Sequence, residues 1–323
     1  MTYDVSRRSL LALGAGLGAT TLLGGSALAK APKLGTQSPY FHRFILGSAE
    51  VTVVSDGPLP LGPPKGTFVG VPDDEVRKML SDNFLSPDNV VLEQNSPIVN
   101  TGDKLVLFDT GMGTSQMFGP TTGRQQKSMS EAGIKPEDID AVVLSHAHVD
   151  HIGGIVDSSG KVLFPNAQFY IAQSDFDFWT DEGKLGGPLK DFVIHARKNL
   201  MPVRDRLVYF KDGQEFLPGI QAMAIPGHTV GHTMFMVTSE GKSFAFLGDL
   251  THHAVLLLEK PRMEFSYDTD PKQAAENRVK MLTMLAANKT PVMSYHFAWP
   301  GYGHVAKAGE GFHYYPEPMQ MTL

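Results

Sequence analysis

Three histidines and one aspartate stand within the seven residues SHAHVDH at positions 145–151 of this chain. The segment directly follows the apolar run AVVL at residues 141–144, which predicts a short buried strand. Clustered imidazoles repel one another once they are protonated, and a cation that takes the nitrogen lone pairs removes this repulsion. The segment therefore indicates a metal site at the end of a strand.

The spacing of the donors favours two ions over one. In a turn after the strand, His146 and His148 can point to one side, while Asp150 and His151 point to a neighbouring position. Two ions with about four to five ligands each need more donors than the cluster offers. Further donors follow other predicted strands, where functional loops usually lie: His228 in PGHTVGH, Asp249 in GD, and His296.

Composition limits the chemistry that these donors can do. The chain has 323 residues, of which 42% are hydrophobic and 19% charged, as in a soluble globular protein with one large core. It has no cysteine, which excludes disulfides, a cysteine nucleophile and thiolate ligands. Nitrogen and oxygen donors suit zinc, and also iron, manganese or cobalt. A net charge of −6 without a basic run argues against a nucleic-acid partner.

The first 29 residues predict a cleaved export signal. Arg7 and Arg8 precede an uncharged stretch that ends in the small-residue site ALA at residues 27–29, a pattern that resembles a twin-arginine leader. A membrane anchor is the alternative, but five glycines make the stretch a poor spanning helix. We expect a periplasmic or secreted protein with no membrane partner after cleavage, an N-terminal arm at residues 30–41, and one domain at 42–323.

Strands dominate the remaining chain. A hairpin is expected over residues 96–108, a Pro/Gly-rich loop over 58–64, and a short helix over 73–80. The clearest helix spans residues 271–288, with Asp270 as its cap. Two sheets covered by outer helices, an αββα sandwich, fit this order best.

The pattern HxHxDH followed by GH, GD and a late histidine resembles the metallo-β-lactamase superfamily over roughly residues 40–315. The resemblance implies an α/β fold, the αββα sandwich in a single domain. It also implies two divalent metal ions, zinc first among the candidates, and a metal-bridging hydroxide that attacks the substrate. By the same resemblance, the first ion is held by His146, His148 and His228, the second by Asp150, His151 and His296, and Asp249 bridges them; Asp150 and Asp249 are the catalytic residues.

Further motifs resemble methyl parathion hydrolase and its lactonase relatives, among them FGPT at residues 118–121, FPNA at 164–167 and PGYGH at 300–304. This resemblance implies an aromatic pocket over the metals, formed by Phe118, Trp179 and Phe192. The chain departs from it after Asp249, where polar residues replace apolar ones. These include two more candidates for substrate binding, His252 and His253.

Polar donors next to the metals suit a carboxylic ester or a lactone, so we expect a lactonase or aryl esterase with a small-molecule substrate. A phosphotriester hydrolase is the first alternative. A β-lactamase is less favoured, because those enzymes generally lack the bridging aspartate. A metal-binding protein without catalysis also stays open, and so does a homodimer, since relatives are often dimers.

Overall fold

The computed structural model describes residues 33–35, 37–319 and 322–323. The chain divides into the units Met1–Ser38 and Pro39–Leu323, and the fold below is that of the second unit. The predicted export signal at residues 1–29 lies outside the described residues, and it stays a prediction. Within the described part of the chain, no helix has the length and apolar character needed to cross a membrane.

Eighteen strands and seven α-helices make up the described fold. The strands are β1 (Phe41–Leu46), β2 (Ala49–Ser55), β3 (Leu59–Gly62), β4 (Phe68–Val69), β5 (Val90–Leu92), β6 (Asn95–Asn100), β7 (Leu105–Phe108), β8 (Ala141–Val143), β9 (Gln168–Ala172), β10 (Leu207–Phe210), β11 (Glu215–Leu217), β12 (Ile220–Ala224), β13 (Thr233–Ser239), β14 (Lys242–Phe246), β15 (Glu264–Phe265), β16 (Val292–Met293), β17 (Tyr302–Ala308) and β18 (Gly311–Pro316). The helices are α1 (Asp73–Asp82), α2 (Gln125–Glu131), α3 (Val149–Ile152), α4 (Gln173–Thr180), α5 (Lys190–Leu200), α6 (Leu256–Glu259) and α7 (Pro271–Asn288).

The strands form two large sheets of seven strands each. The first has the order β1-β2-β6-β7-β8-β9-β10, and the second has the order β11-β12-β13-β14-β16-β17-β18. Strands β7 to β10 run parallel to one another in the first sheet, and β14 is parallel to β16 in the second. Two small pairs, β3 with β5 and β4 with β15, stand apart from the large sheets.

Alternating residues on the strands build separate apolar layers. In β8, Ala141 and Val143 face a core shared with Phe235 and Phe246 of the second sheet, whereas Val142 packs with the outer helices. A third core lies between the second sheet and α7. Because both faces of each large sheet are buried, the layers follow the order helix, sheet, sheet, helix. The αββα sandwich predicted from the sequence is confirmed.

Helix α7 spans the predicted residues, Pro271–Asn288. The Asp270 side chain accepts a hydrogen bond from the Gln273 backbone N–H at 3.0 Å, which satisfies one of the free donors at the helix start. The hairpin around residues 101–103 also forms, with β6 and β7 antiparallel.

The loop prediction for residues 58–64 is wrong. Residues Leu59–Gly62 form β3, which pairs antiparallel with β5. Proline removes one backbone donor, which an outer strand tolerates, and Pro60 lies in such a two-stranded pair. Leu59 is buried in a fourth apolar cluster together with residues of α1, α6 and β15. This pair of strands contributes to the site described next.

Candidate metal centre

The seven predicted ligands come together at one end of the sandwich. His146 and His148 follow β8, while Asp150 and His151 lie on the short helix α3. The other three donors follow β12, β14 and β16 respectively: His228, Asp249 and His296. Since these strands end at the same edge, side chains far apart in sequence converge there.

Two glycines allow α3 to approach the turn that follows β7. A Cβ atom on Gly153 would lie 2.3 Å from the Met112 carbonyl oxygen, and one on Gly154 would lie 2.0 Å from the Thr110 carbonyl oxygen. Real Cβ atoms do not come so close to backbone. The Gly153-Gly154 pair therefore permits the packing that places Asp150 and His151.

The first group of donors consists of three imidazoles. Nε2 of His228 lies 2.9 Å from Nδ1 of His148 and 3.2 Å from Nε2 of His146. A tetrahedral zinc ion with bonds of about 2.0–2.1 Å separates its donor atoms by roughly 3.3–3.4 Å. The three nitrogens are thus spaced closely enough to share one ion.

The second group combines carboxylates and imidazoles. Oδ2 of Asp150 lies 3.4 Å from Nε2 of His151 and 3.5 Å from Nε2 of His296. Asp249 stands between the two groups: its Oδ1 is 3.2 Å from Nε2 of His151, and its Oδ2 is 3.1 Å from Nε2 of His228. One carboxylate therefore faces both groups.

Buried polar atoms without a partner show that this donor set fits metal ions. Nε2 of His151 and Oδ1 of Asp249 are both buried and make no hydrogen bond. An unpaired buried polar atom costs free energy. Both atoms point into the second group, where a divalent ion would satisfy them, so the residues present suit two divalent ions.

The outer nitrogens of four imidazoles meet acceptors. Nδ1 of His151 lies 2.8 Å from Oδ2 of Asp109, and Nδ1 of His228 lies 2.8 Å from Oδ1 of Asp268. Nδ1 of His296 is 2.8 Å from the Glu93 carbonyl, and Nδ1 of His146 is 3.0 Å from Oγ of Ser145. An outer N–H that donates to an acceptor leaves the inner nitrogen lone pair free for a metal.

The electrostatics of the centre favour the metal-binding charge states of His146, His148 and Asp249. At His151 and His228 the neighbouring carboxylates outweigh burial and raise the pKa of the imidazole, so an ion displaces a proton from each. Burial, together with the neighbouring imidazoles, lowers the pKa of His146 and of His148 well below the ordinary value, so both stay neutral at pH 7. Burial alone would raise the pKa of Asp249, but His151 and His296 lower it well below the ordinary value. Neutral imidazoles and an ionised carboxylate are the forms that bind metals.

A cavity opens directly above the donors. Six of its lining residues carry metal-binding or polar groups: His148, Asp150, His228, Asp249, His252 and His296. The others are apolar or aromatic: Leu59, Leu61, Leu92, Phe118, Phe192, Phe265 and Tyr267. Among these described lining residues, none is lysine or arginine, so the walls offer no cationic group to an anionic substrate.

Only two of the three aromatic residues predicted to line the pocket do so. Phe118 and Phe192 line the cavity, but Trp179 does not. Trp179 is 1% exposed and packs behind the site, with its ring 4.9 Å from that of His148 and 5.9 Å from that of Phe192. Because α4 directs it into the core beneath these two rings, its position suits support of the site and not contact with a substrate.

Of the two histidines after Asp249 that were predicted to bind substrate, only one lies at the cavity. His252 lines the cavity, and its Nε2 lies 3.0 Å from Oδ2 of Asp249. His253 does not line it; its Nδ1 accepts the backbone N–H groups of Val255 and Leu256 at the start of α6, at 3.1 and 3.2 Å. The structure therefore gives His253 a capping contact, and only His252 remains at the cavity.

Two buried carboxylates at the site were not found from the sequence. Asp175 accepts the backbone N–H groups of Ala147 and Gly231, each at 2.7 Å, and so joins the two loops that carry the histidines. Asp268 contacts His228 as described above. Neither residue belongs to a recognisable motif, and an acidic residue near a predicted helix start is the only signal that the sequence offers for either.

Comparison with known proteins gives consistent results. The model of the metallo-β-lactamase superfamily matches residues 90–292. The structure of AidC, a dizinc quorum-quenching lactonase in complex with a product, superimposes with a TM-score of 0.82 and 31% identity, covering 87% of this chain and 98% of AidC. The hydrolase AbOPH, also of the β-lactamase superfamily, gives a TM-score of 0.81 and 26% identity, covering 88% of this chain and 100% of AbOPH.

Curated sequences agree with these structures. An N-acyl homoserine lactonase of Bacillus cereus is 24% identical over 255 residues, which are 72% of this chain and 90% of that protein. A probable metallo-hydrolase of Mycobacterium bovis is 24% identical over 230 residues, 62% of this chain and 68% of that protein. With the family model matching more than half of its length and the donor groups in place, the chain belongs to the metallo-β-lactamase superfamily.

Proposed function

We propose that this metal-dependent hydrolase opens neutral lactones or cleaves aryl esters, with two zinc ions held by the seven convergent donors. The observation that carries the proposal is the cavity above the donors, which has apolar walls and the donor groups at its base. Pockets with apolar and aromatic walls and a few placed polar groups suit small organic ligands. The dizinc lactonase AidC shares the fold and 31% of its aligned residues, which supports the choice of substrate and of metal.

The walls favour an uncharged substrate. Phe118, Phe192 and Phe265 present ring surfaces to the cavity, and no described lining residue offers a positive charge. A negative charge on the part of a substrate that lies against these walls, away from the metal donors, would have no partner. Lactones, aryl esters and phosphotriesters are all neutral, so the cavity suits both the proposed lactone or aryl ester and the alternative phosphotriester.

The reaction consists of the addition of water to a carbonyl. The oxygen of water bonds to the acyl carbon, the ring C–O bond breaks, and a proton passes to the departing alcohol oxygen to give a hydroxy acid. When bound, two divalent ions supply a nucleophilic water at neutral pH and polarise the carbonyl. Asp249, which faces both donor groups, would help to hold both ions, while the aromatic walls would orient the acyl group and exclude other water.

The polar segment after Asp249 contributes one residue to the cavity. His252 directs Nε2 toward Oδ2 of Asp249 at 3.0 Å, and burial lowers its pKa to about 4, so the ring stays neutral at pH 7. A neutral imidazole has one N–H, and opposite the Asp249 carboxylate it belongs on Nε2, so His252 orients Asp249. Its neighbour Thr251 is 0% exposed and lies away from the cavity, so it offers no group to a substrate.

Turnover by zinc-loaded protein tests the proposal. We expect hydrolysis of dihydrocoumarin and of acyl-homoserine lactones, slower hydrolysis of methyl paraoxon, and loss of all activity on chelation. Asp249→Ala should abolish turnover, whereas Asp205→Ala serves as the matched control, because that side chain is 92% exposed and belongs to neither donor group. The absence of turnover with every lactone would refute the substrate, and an active Asp249→Ala variant would refute the two-metal mechanism.

A further inference from the structure

Asp268 lies between a predicted metal ligand and a buried arginine. Its Oδ1 is 2.8 Å from Nδ1 of His228, and its Oδ2 is 3.6 Å from Nη2 of Arg278. The side chains of Asp268 and Arg278 are both 0% exposed. We propose that Asp268 is a positioning residue, which fixes the tautomer of His228 that can bind a metal, and that Arg278 holds Asp268 in place.

The chemistry of the imidazole makes this contact directional. A neutral histidine carries one N–H, on either nitrogen, and an ionised carboxylate can only accept a hydrogen bond. Opposite Asp268, the hydrogen of His228 therefore belongs on Nδ1. Nε2 then keeps its lone pair and faces His146 and His148, at 3.2 and 2.9 Å. Without the carboxylate, the two tautomers compete.

Arg278 is itself firmly held. On α7, its Nε donates to the Leu250 carbonyl at 3.0 Å, and its Nη1 donates to the carbonyls of Pro261 and Met263 at 3.1 and 2.7 Å. Its Nη2 and the Oδ2 of Asp268 have no hydrogen-bond partner, so each depends on the other for charge compensation. The guanidinium thus fixes the carboxylate from behind, on the side away from His228.

The effect should be confined to one ion. His228 groups with His146 and His148, whereas the donors of the second group are Asp150, His151, Asp249 and His296. The inference rests on the two-ion centre of the proposed function and not on the lactone substrate. Metal affinity can therefore test it even if no lactone is turned over.

The test measures zinc affinity by chelator competition with full-length protein. Asp268→Asn removes the charge with little change in volume. A second variant, Asp268→Leu with Arg278→Met, replaces the whole buried pair by apolar side chains, a type of exchange that folds often tolerate. We expect one of the two zinc ions to bind about 10–100-fold more weakly in both variants, and the other to bind as in the wild type.

A second measurement reports the tautomer directly. In cobalt-substituted protein, each ligating imidazole with a protonated outer nitrogen gives an exchangeable proton signal in paramagnetic NMR, and we expect the Asp268 variants to lose or shift one such signal. Asp56→Asn is the matched control, since Asp56 is equally buried but accepts only the backbone N–H groups of Met112, Gly123 and Gln125.

The control should lower stability and leave both zinc affinities unchanged. Wild-type affinity for both ions in the Asp268 variants would overturn the proposal. Equal weakening of both ions would overturn it as well, because Asp268 would then act through the fold and not through His228.

Discussion

Replacing Asp175 by asparagine tests whether one buried carboxylate holds the two histidine loops together. Asp175 is 0% exposed, and each of its oxygens accepts a different backbone N–H: Oδ2 that of Ala147, and Oδ1 that of Gly231, both at 2.7 Å. Ala147 lies between two predicted ligands, His146 and His148, and Gly231 follows His228 by three residues. The carboxylate therefore joins these two loops directly through both of its oxygens.

The expected loss can be worked out from the geometry. Asparagine has one acceptor oxygen, so one of the two N–H groups loses its acceptor and faces the amide NH2 instead. A hydrogen bond to a charged group contributes about 1.5–3 kcal/mol, and an unpaired buried donor costs about 1–3 kcal/mol. These two costs overlap, because both describe the same lost hydrogen bond. We therefore expect the free energy of unfolding to fall by about 2–4 kcal/mol, a large part of the usual total of about 5–15 kcal/mol.

Urea unfolding of metal-free protein measures this loss, because bound ions would stabilise the folded state by mass action. Asp177→Asn is the matched control, since it lies on the same helix, α4, and is exposed. Zinc affinity should fall for the ion of the first group, since the two loops that Asp175 joins carry His146, His148 and His228. An unfolding free energy of Asp175→Asn within about 0.5 kcal/mol of the wild type, below the cost of one lost hydrogen bond, would refute the reasoning.

Three more outcomes are expected. In Gly231→Ala, the new Cβ would lie 2.7 Å from the Asp175 backbone nitrogen, so urea unfolding should show a loss of about 1–3 kcal/mol, whereas Gly186→Ala, with open space around its Cβ position, should show little change. Burial, partly offset by three backbone N–H donors, raises the pKa of Asp56 to about 6. The folded state thus binds the Asp56 proton more tightly than the unfolded state does. The stability that protonated Asp56 contributes is lost as pH rises from about 4 to about 6. The difference in unfolding free energy between wild type and Asp56→Asn should therefore fall by about 2.5 kcal/mol between pH 4 and pH 7; a constant difference would contradict this. Finally, Phe192→Ala should raise KM for lactones with apolar substituents about 5–150-fold, in line with the about 1–3 kcal/mol of a buried side chain. Trp179→Phe should change KM less than about twofold and lower stability instead; steady-state kinetics and urea unfolding separate the two.

The donor set could be predicted from the sequence because its signals are local. Four of the seven donors lie within the six residues 146–151, and the other three each follow a predicted strand. Strand ends at one edge of a sandwich bring such residues together wherever the strands lie in the sheets. The helix Pro271–Asn288 was predictable for a similar reason, since its cap and first-turn proline are adjacent to its apolar pattern.

The contacts that support the donors could not be predicted, since they depend on distant pairings. Asp268 and His228 are 40 residues apart, and Asp175 and Gly231 are 56 residues apart. Apart from a position near a predicted helix start, nothing in the sequence around either carboxylate distinguishes it from an ordinary surface residue. Only the packing of α4, which carries Asp175, and of the segment before α7, which carries Asp268, brings these side chains to the ligand loops.

The pocket wall was missed for a different physical reason. Prolines and glycines at residues 58–64 favour a loop, but the segment gains a partner in β5 and buries Leu59 against α1 and α6. Tertiary burial outweighs local propensity here. The aromatic prediction failed at Trp179 because a helical pattern does not show which residue faces a cavity and which lies beneath it.

The metal donors and the cavity wall come from two different parts of the fold. The donors follow strands of the two large sheets, whose residues fill the three main cores. Much of the cavity wall instead comes from the separate apolar cluster that contains Leu59, Leu92, Phe265 and, at its edge, Phe118. Because this cluster has its own packing, its side chains can change in size and shape without moving the strands that carry the ligands. The fold can therefore keep one hydrolytic centre while the wall selects the substrate.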